Sequence, residues 1–396
     1  MYEFDDNGVI YWGRHDKPAM KQFRQIRATL RSVCQGWKEL VDSPYIEHRC
    51  MRFCIPSHMD EDQNLIRAVN ARRIEIITPP GVSQLPDGVL EQVQSRRFNT
   101  EILLDIGGKF FNQILPAHEE NFPFLTTLVV DFQNHSLHLL PETLSSISLP
   151  RLDFLTTLIL RLRETQDLDN GIFGRLPNLS TLSLQRVHKL PYLDFSQWCL
   201  PLLCHLELES LYEPGDVTYL FKQLPLFSQH LRFLRIVPSR SYHILPIELD
   251  SLWLCDKLER LEIPLQLLFM WGGEPQRLSC LKHIVHTEAG PLAMTAYLWC
   301  RGDYMKLYGG FIGFCLALRA LKTVTDSHGW NSTLENANTP LQVGQLPPNQ
   351  SRDKKMFITT AAVTVSLAQK LQDIGIRYED RNCKTLVEAK AQMGVL

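Results

Sequence analysis

Hydrophobic residues return along this chain in one spelling. Leu125-x-x-Leu128-x-Val130 is followed by Leu155-x-x-Leu158-x-Leu160, Leu179-x-x-Leu182-x-Leu184, Leu203-x-x-Leu206-x-Leu208, Leu231-x-x-Leu234-x-Ile236 and Leu258-x-x-Leu261-x-Ile263. A weaker unit stands at Leu281-x-x-Ile284, and two degenerate ones precede the series at Ile74-Glu75-Ile76 and Ile102-Leu103-Leu104-Asp105-Ile106. Successive middle residues, from Leu128 to Ile284, are 23 to 30 positions apart. A fixed period of this kind is the signature of stacked repeats. Within each unit the alternation predicts a short strand, because neighbouring side chains of a strand leave on opposite faces. Leu182 and Leu184 then point inward, while Thr181, Ser183 and Gln185 point outward. One unit leaves an apolar face bare, and stacking the next unit on it buries that face. Val217 to Gln223 and Leu249 to Cys255 have helical character between strands, and Pro177, Pro201 and Pro225 punctuate the entries.

Those units resemble irregular, long-period leucine-rich repeats. The resemblance implies an α/β leucine-rich-repeat solenoid, a curved parallel sheet with helices and loops on its convex side. The leucines are core, so any function lies on the outward positions between them. The candidates for a partner-binding concave face are Arg161, Gln185, His205, Glu207, Glu209, Phe233, Arg235, Arg260 and Glu262. Thr127, Val129, Thr157 and Ile159 occupy the matching places in the earlier units. The face is chemically mixed. A reader of nucleic acid would show a basic stripe with stacking aromatics, and Glu207, Glu209 and Glu262 interrupt one. A protein surface fits better, and no nucleic-acid partner is expected.

The period changes near the N-terminus. Phe23, Ile26, Leu30, Val33, Trp37 and Leu40 recur at spacings of three and four and predict one apolar face of a helix. Lys17, Lys21, Arg24, Arg27, Arg31 and Lys38 make its polar side basic. The run Leu30-Arg31-Ser32-Val33-Cys34-Gln35-Gly36-Trp37-Lys38-Glu39-Leu40-Val41-Asp42-Ser43-Pro44 resembles the second half of an F-box. That family's opening L-P-x-E-type helix is not recognisable between Met1 and Asp16, so either it has diverged or the chain begins inside a longer one. What the resemblance implies is contact with a Skp-type adaptor and through it a cullin, made by Leu30, Val33, Cys34, Trp37, Leu40 and Pro44. The alternative is that this segment only caps the end of the repeat array.

Beyond Thr287 the leucine period stops. Leu292 to Trp299 and Phe311 to Leu321 read as apolar capping helices, and 327–355, with Pro347-Pro348 and few apolar residues, as a loop. Ala361 to Ile374 predicts a helix ended by Gly375, followed by a strand at Ile376 to Tyr378 and a final helix from Thr385. The organisation expected is 1–60 F-box-like, 61–287 repeats, 288–326 capping helices, 327–355 linker and 356–396 an α/β capping unit.

Composition narrows the class. With 396 residues, 44% hydrophobic and 21% charged, the chain has the make-up of a folded protein. A formal charge of -2 gives no global field for nucleic acid or an anionic membrane. Ten scattered cysteines and no charged-then-apolar leader predict reduced thiols and a cytoplasmic or nuclear location. The longest apolar run, Leu307 to Leu318, is short of the ~20 residues of a membrane span. His48, Cys50, Cys54 and His58 crowd into a spacing poor for structural zinc, so no metal and no cofactor is expected. Gly107-Gly108-Lys109 lacks the rest of a phosphate loop, and His135 with His138 lacks a third ligand. No enzyme motif supports a catalytic role. The expectation is a non-enzymatic substrate-recognition adaptor of a Skp-cullin-F-box ubiquitin ligase, binding an unknown protein substrate, with a ligase-free repeat scaffold as the alternative.

Overall fold

The computed structural model describes residues 50–54, 73–77, 101–105, 125–131, 152–161, 176–185, 200–211, 214–238, 250–263, 277–286, 304–326, 365–380 and 382–392. The chain divides into two compact units, Met1–Leu179 and Ser180–Leu396.

The first unit contains β1 (Cys50–Cys54), β2 (Arg73–Ile77), β3 (Glu101–Asp105), β4 (Thr127–Asp131) and β5 (Thr157–Arg161). Each pairs in parallel with the next in chain order. The register aligns the repeat units: Met51, Ile74, Ile102, Leu128 and Leu158 form one row, and Phe53, Ile76, Leu104, Val130 and Leu160 another. The degenerate units at Ile74 and Ile102 are therefore strands in step with the clear ones.

The second unit repeats the scheme with β6 (Thr181–Gln185), β7 (His205–Leu211), β8 (Phe233–Pro238), β9 (Arg260–Ile263), β10 (His283–His286), β11 (Thr323–Asp326) and β12 (Arg377–Asp380), parallel and in chain order. Helix α1 (Pro214–Gln223) with the 3-10 turn Leu224–Leu226, and the 3-10 turn Asp250–Leu254, precede β8 and β9. Helix α2 (Tyr304–Ala317) precedes β11, the helical residues 365–373 (α3) precede β12, and α4 (Leu386–Gln392) follows it. Among the described residues no helix is long and apolar enough to cross a membrane.

The leucines before each strand are as fixed as those within it. The Leu155 amide donates to the Leu152 carbonyl, and the same three-residue closure recurs at Leu179 to Leu176, Leu203 to Leu200, Leu258 to Cys255, Leu281 to Leu278 and Leu321 to Leu318. These tight turns set both apolar side chains inward: Leu155, Leu179, Leu258, Leu281 and Cys255 are fully buried. The carbonyl just ahead of each strand then takes two amides from the next repeat. Arg232 and Phe233 both donate to Cys204, Glu259 and Arg260 to Arg232, Lys282 and His283 to Glu259, and Lys322 and Thr323 to Lys282. Buried backbone acceptors are thus satisfied between repeats as well as within the ladder.

The ladder runs further than the leucine spelling. Thr323–Asp326 lies in 288–326, where capping helices were expected, yet pairs with β10 as an ordinary repeat strand, with Leu318, Leu321 and Val324 inside. The third leucine position is taken by His286, Asp326 and Asp380 in the last three strands, all buried. The two aspartates survive there because they are bonded. The Tyr378 hydroxyl donates to Asp326 Oδ2 at 2.7 Å, and Asp380 Oδ1 accepts the backbone amides of Asn382 at 2.8 Å and Lys384 at 3.0 Å.

The turn held by Asp380 closes the sheet. Thr385 bridges back to Glu379, and the Asp380 amide donates to the Lys384 carbonyl, so the chain covers its own last strand. Gly375, with φ of 82°, ends α3 as its position in the sequence predicts. Thr385 and Glu388 form a reciprocal cap on α4: the Glu388 amide donates to Thr385 Oγ1, and Glu388 Oε2 accepts the Thr385 amide.

Candidate functional site

On the face opposite the leucines, the register of the second unit lines up three rows. Thr181, His205, Phe233, Arg260, His283, Thr323 and Arg377 share the first; Ser183, Glu207, Arg235, Glu262, Val285, Thr325 and Glu379 the second. Gln185, Glu209 and Val237 begin the third. Parallel strands stand ~4.8 Å apart, so row neighbours touch.

The second row carries the strongest interactions. Arg235 sits among three carboxylates: Nη1 is 2.5 Å from Glu207, Nη2 is 3.0 Å from Glu209 and Nε is 3.2 Å from Glu262. Arg260 Nε donates to the other Glu262 oxygen at 2.7 Å. Two guanidinium groups therefore meet three carboxylates in a space where Glu207 and Glu262 are 1% and 2% exposed. Burial pushes the Glu207 carboxyl up to about 7, helped by the like charges of Glu209 and Glu262 and opposed by Arg235 and a hydrogen bond from Ser183. Ser183 is itself buried and accepts from Gln185 Nε2 at 3.3 Å.

The first row is an aromatic and cationic stack. The His205 and Phe233 rings lie 3.9 Å apart at 19°, and the Arg260 guanidinium lies 5.8 Å from the Phe233 centroid. His283, next along, is held below its usual range first by burial and then by Arg260, Lys282 and Lys322, with Glu379 opposing.

Of the nine surface candidates, the structure brings His205, Glu207, Glu209, Phe233, Arg235, Arg260 and Glu262 into one contiguous cluster, with Gln185 at its edge through Ser183. Arg161 belongs to the first unit, at the end of β5, and is 8% exposed. Alternation sets these residues opposite the leucines, and several are covered: Glu207, Glu262, Phe233 and Ser183 are buried, while His205, Gln185, Glu209 and Arg260 keep partial exposure. The adaptor-facing candidates Leu30, Val33, Cys34, Trp37, Leu40 and Pro44 lie outside the described residues.

The spelling also hid a row. In L-x-x-L both intervening residues matter, and the first of them gives Arg232, Glu259, Lys282 and Lys322, linked carbonyl to amide along the edge of the sheet. Reading that position down the repeats would have found it.

Cys255 and Cys315 are fully buried, and burial raises both thiols, Cys255 to about 12. Among the described residues no group of three or more His, Cys, Asp or Glu could hold a metal ion. No family model matches this chain, and no match is found among curated proteins.

Proposed function

We propose that this chain is a leucine-rich-repeat adaptor that recruits a protein substrate to a Skp-cullin-F-box ubiquitin ligase and performs no covalent step itself. The observation that carries the recruiting half is the ladder of the second unit. One strand per repeat, in register, sets leucines on one face and His205, Gln185, Glu209 and Arg260 at partly exposed positions on the other. A surface whose chemistry changes strand by strand while its frame stays constant is suited to reading a protein. The ligase half rests on the resemblance of 30–44 to an F-box, with Trp37 and Leu40 on the adaptor side.

The test is co-purification from cells of the full tagged chain with the Skp-type adaptor and a cullin, beside a known F-box protein. Recovery of both, lost in Trp37→Ala/Leu40→Ala, is the expected result. Recovery of neither, with the known F-box protein succeeding, sinks the ligase link and leaves a repeat scaffold whose face binds its partner independently.

A further inference from the structure

One edge of the second unit gathers positive charge. The residues just ahead of β8, β9, β10 and β11 are Arg232, Glu259, Lys282 and Lys322, and the strands themselves begin with Phe233, Arg260, His283 and Thr323. Arg377, at the start of β12, donates its amide to the Lys322 carbonyl and extends the edge by one strand. These cations face solvent: Arg232 is 67%, Lys282 42% and Arg377 49% exposed, and Lys322 is exposed.

The carboxylates present do not balance them. Glu259 serves two cations, Lys282 at 2.8 Å and Arg232 at 3.9 Å, and Lys282 is the main reason its carboxyl stays below the usual range. Glu379 and, more distantly, Glu388 lie beside Arg377. Among the described residues no carboxylate forms an ion pair with Lys322.

We propose that this edge is a docking surface for an acidic protein segment, whose carboxylates meet Arg232, Lys282, Lys322 and Arg377 across neighbouring repeats. It rests on the reading of the chain as a partner-binding repeat protein, not on the ligase link. Charge complementarity selects the partner's sign. The class follows from how the edge is built: single-stranded nucleic acid is held by bases stacked on open aromatic faces, and Phe233, at the start of β8, is 8% exposed with the partly exposed His205 ring stacked on it. Glu259 and Glu379 within the edge also break the uninterrupted cationic track that a phosphate backbone follows.

The probe is a fluorescein-labelled oligoglutamate peptide, its anisotropy followed against the full chain at about 50 mM and about 200 mM salt. Binding is expected at the lower salt, weakened at the higher. Lys282→Glu/Lys322→Glu should weaken it at least about tenfold. Lys222→Glu/Lys257→Glu, an equal charge change at exposed positions elsewhere, should not, and matched thermal melts show that both variants fold. No binding by the parent chain at low salt, or equal binding by the two variants, overturns the proposal. Tighter binding of a single-stranded RNA of equal charge also overturns it, in favour of nucleic acid. Adaptor recovery by the parent chain is scored separately. Peptide binding without adaptor recovery keeps this surface and removes the ligase reading; adaptor recovery without peptide binding does the reverse.

Discussion

The two units build the same ladder and fill its middle row differently. In the first unit the positions between the leucine rows are Arg52 and Glu75 in β1 and β2 and then the apolar run Leu103, Val129 and Ile159 over β3 to β5, with Val129 and Ile159 almost fully buried. In the second the equivalent positions over β6 to β9 are Ser183, Glu207, Arg235 and Glu262, of which Ser183, Glu207 and Glu262 are as deeply buried, before Val285, Thr325 and Glu379 continue the row. One backbone therefore tolerates either filling. The apolar row is held by area removed from water, which is indifferent to partner and to pH. The charged row must be matched group by group, since a buried ion without its partner is expensive. The second unit has accepted a costlier row, and with it a face whose stability depends on proton and salt.

The largest break in this comparison is Arg235→Met. It removes the cation shared by Glu207, Glu209 and Glu262 and leaves Arg260 alone with the cluster. Loss of one member of a buried ion pair costs about 3–5 kcal/mol, and urea unfolding at pH 8 should show a loss of that order. At pH 5 the loss should shrink, because Glu207 then takes a proton. An equal loss at both values would mean that packing of the Arg235 stem, not its charge, holds the row.

A sharper instrument is Glu207→Gln, which keeps the shape and removes the titration. With its carboxyl raised by burial from 4.5 to about 7, the folded state binds more protons than the unfolded state between those values. Glu207 therefore adds stability below about 4.5 and loses that contribution as pH rises through about 7. The parent chain should weaken over this window by up to about 3 kcal/mol from this group, and the Gln variant should not. Melts from pH 5 to pH 8 check it. A Gln variant less stable than the parent at pH 8 would show that the ionised pair with Arg235 outweighs desolvation.

How much of this was legible in the sequence depends on what alternation can carry. It places Glu207, Arg235 and Glu262 in one row opposite the leucines, because a strand's side chains must alternate. It says nothing about what covers a row, so the burial of Glu207 was invisible. The end of the array was hidden for another reason. Leu321-x-x-Val324-x-Asp326 lacks the third apolar residue of the spelling, and Asp326 and Asp380 read as surface until Tyr378 and the 382–385 turn are seen to satisfy them. The edge row of Arg232, Lys282 and Lys322 is legible in the spelling, one place before the outward strand positions.

The smallest effect tests the apolar side of the comparison. Ile159→Val deletes one methylene at a site only 3% exposed, beside Val129 in its own row. Such a deletion costs about 0.5–1.5 kcal/mol in a packed core. Its more telling property is what should not change. No ionisable group enters or leaves, so the loss should be the same at pH 5 and pH 8, and the same in low and in moderate salt, where screening alters the charged row of the second unit. A cost that moved with pH would mean that the apolar row of the first unit is coupled to a titrating group, and that the two fillings do not divide the labour between area and charge.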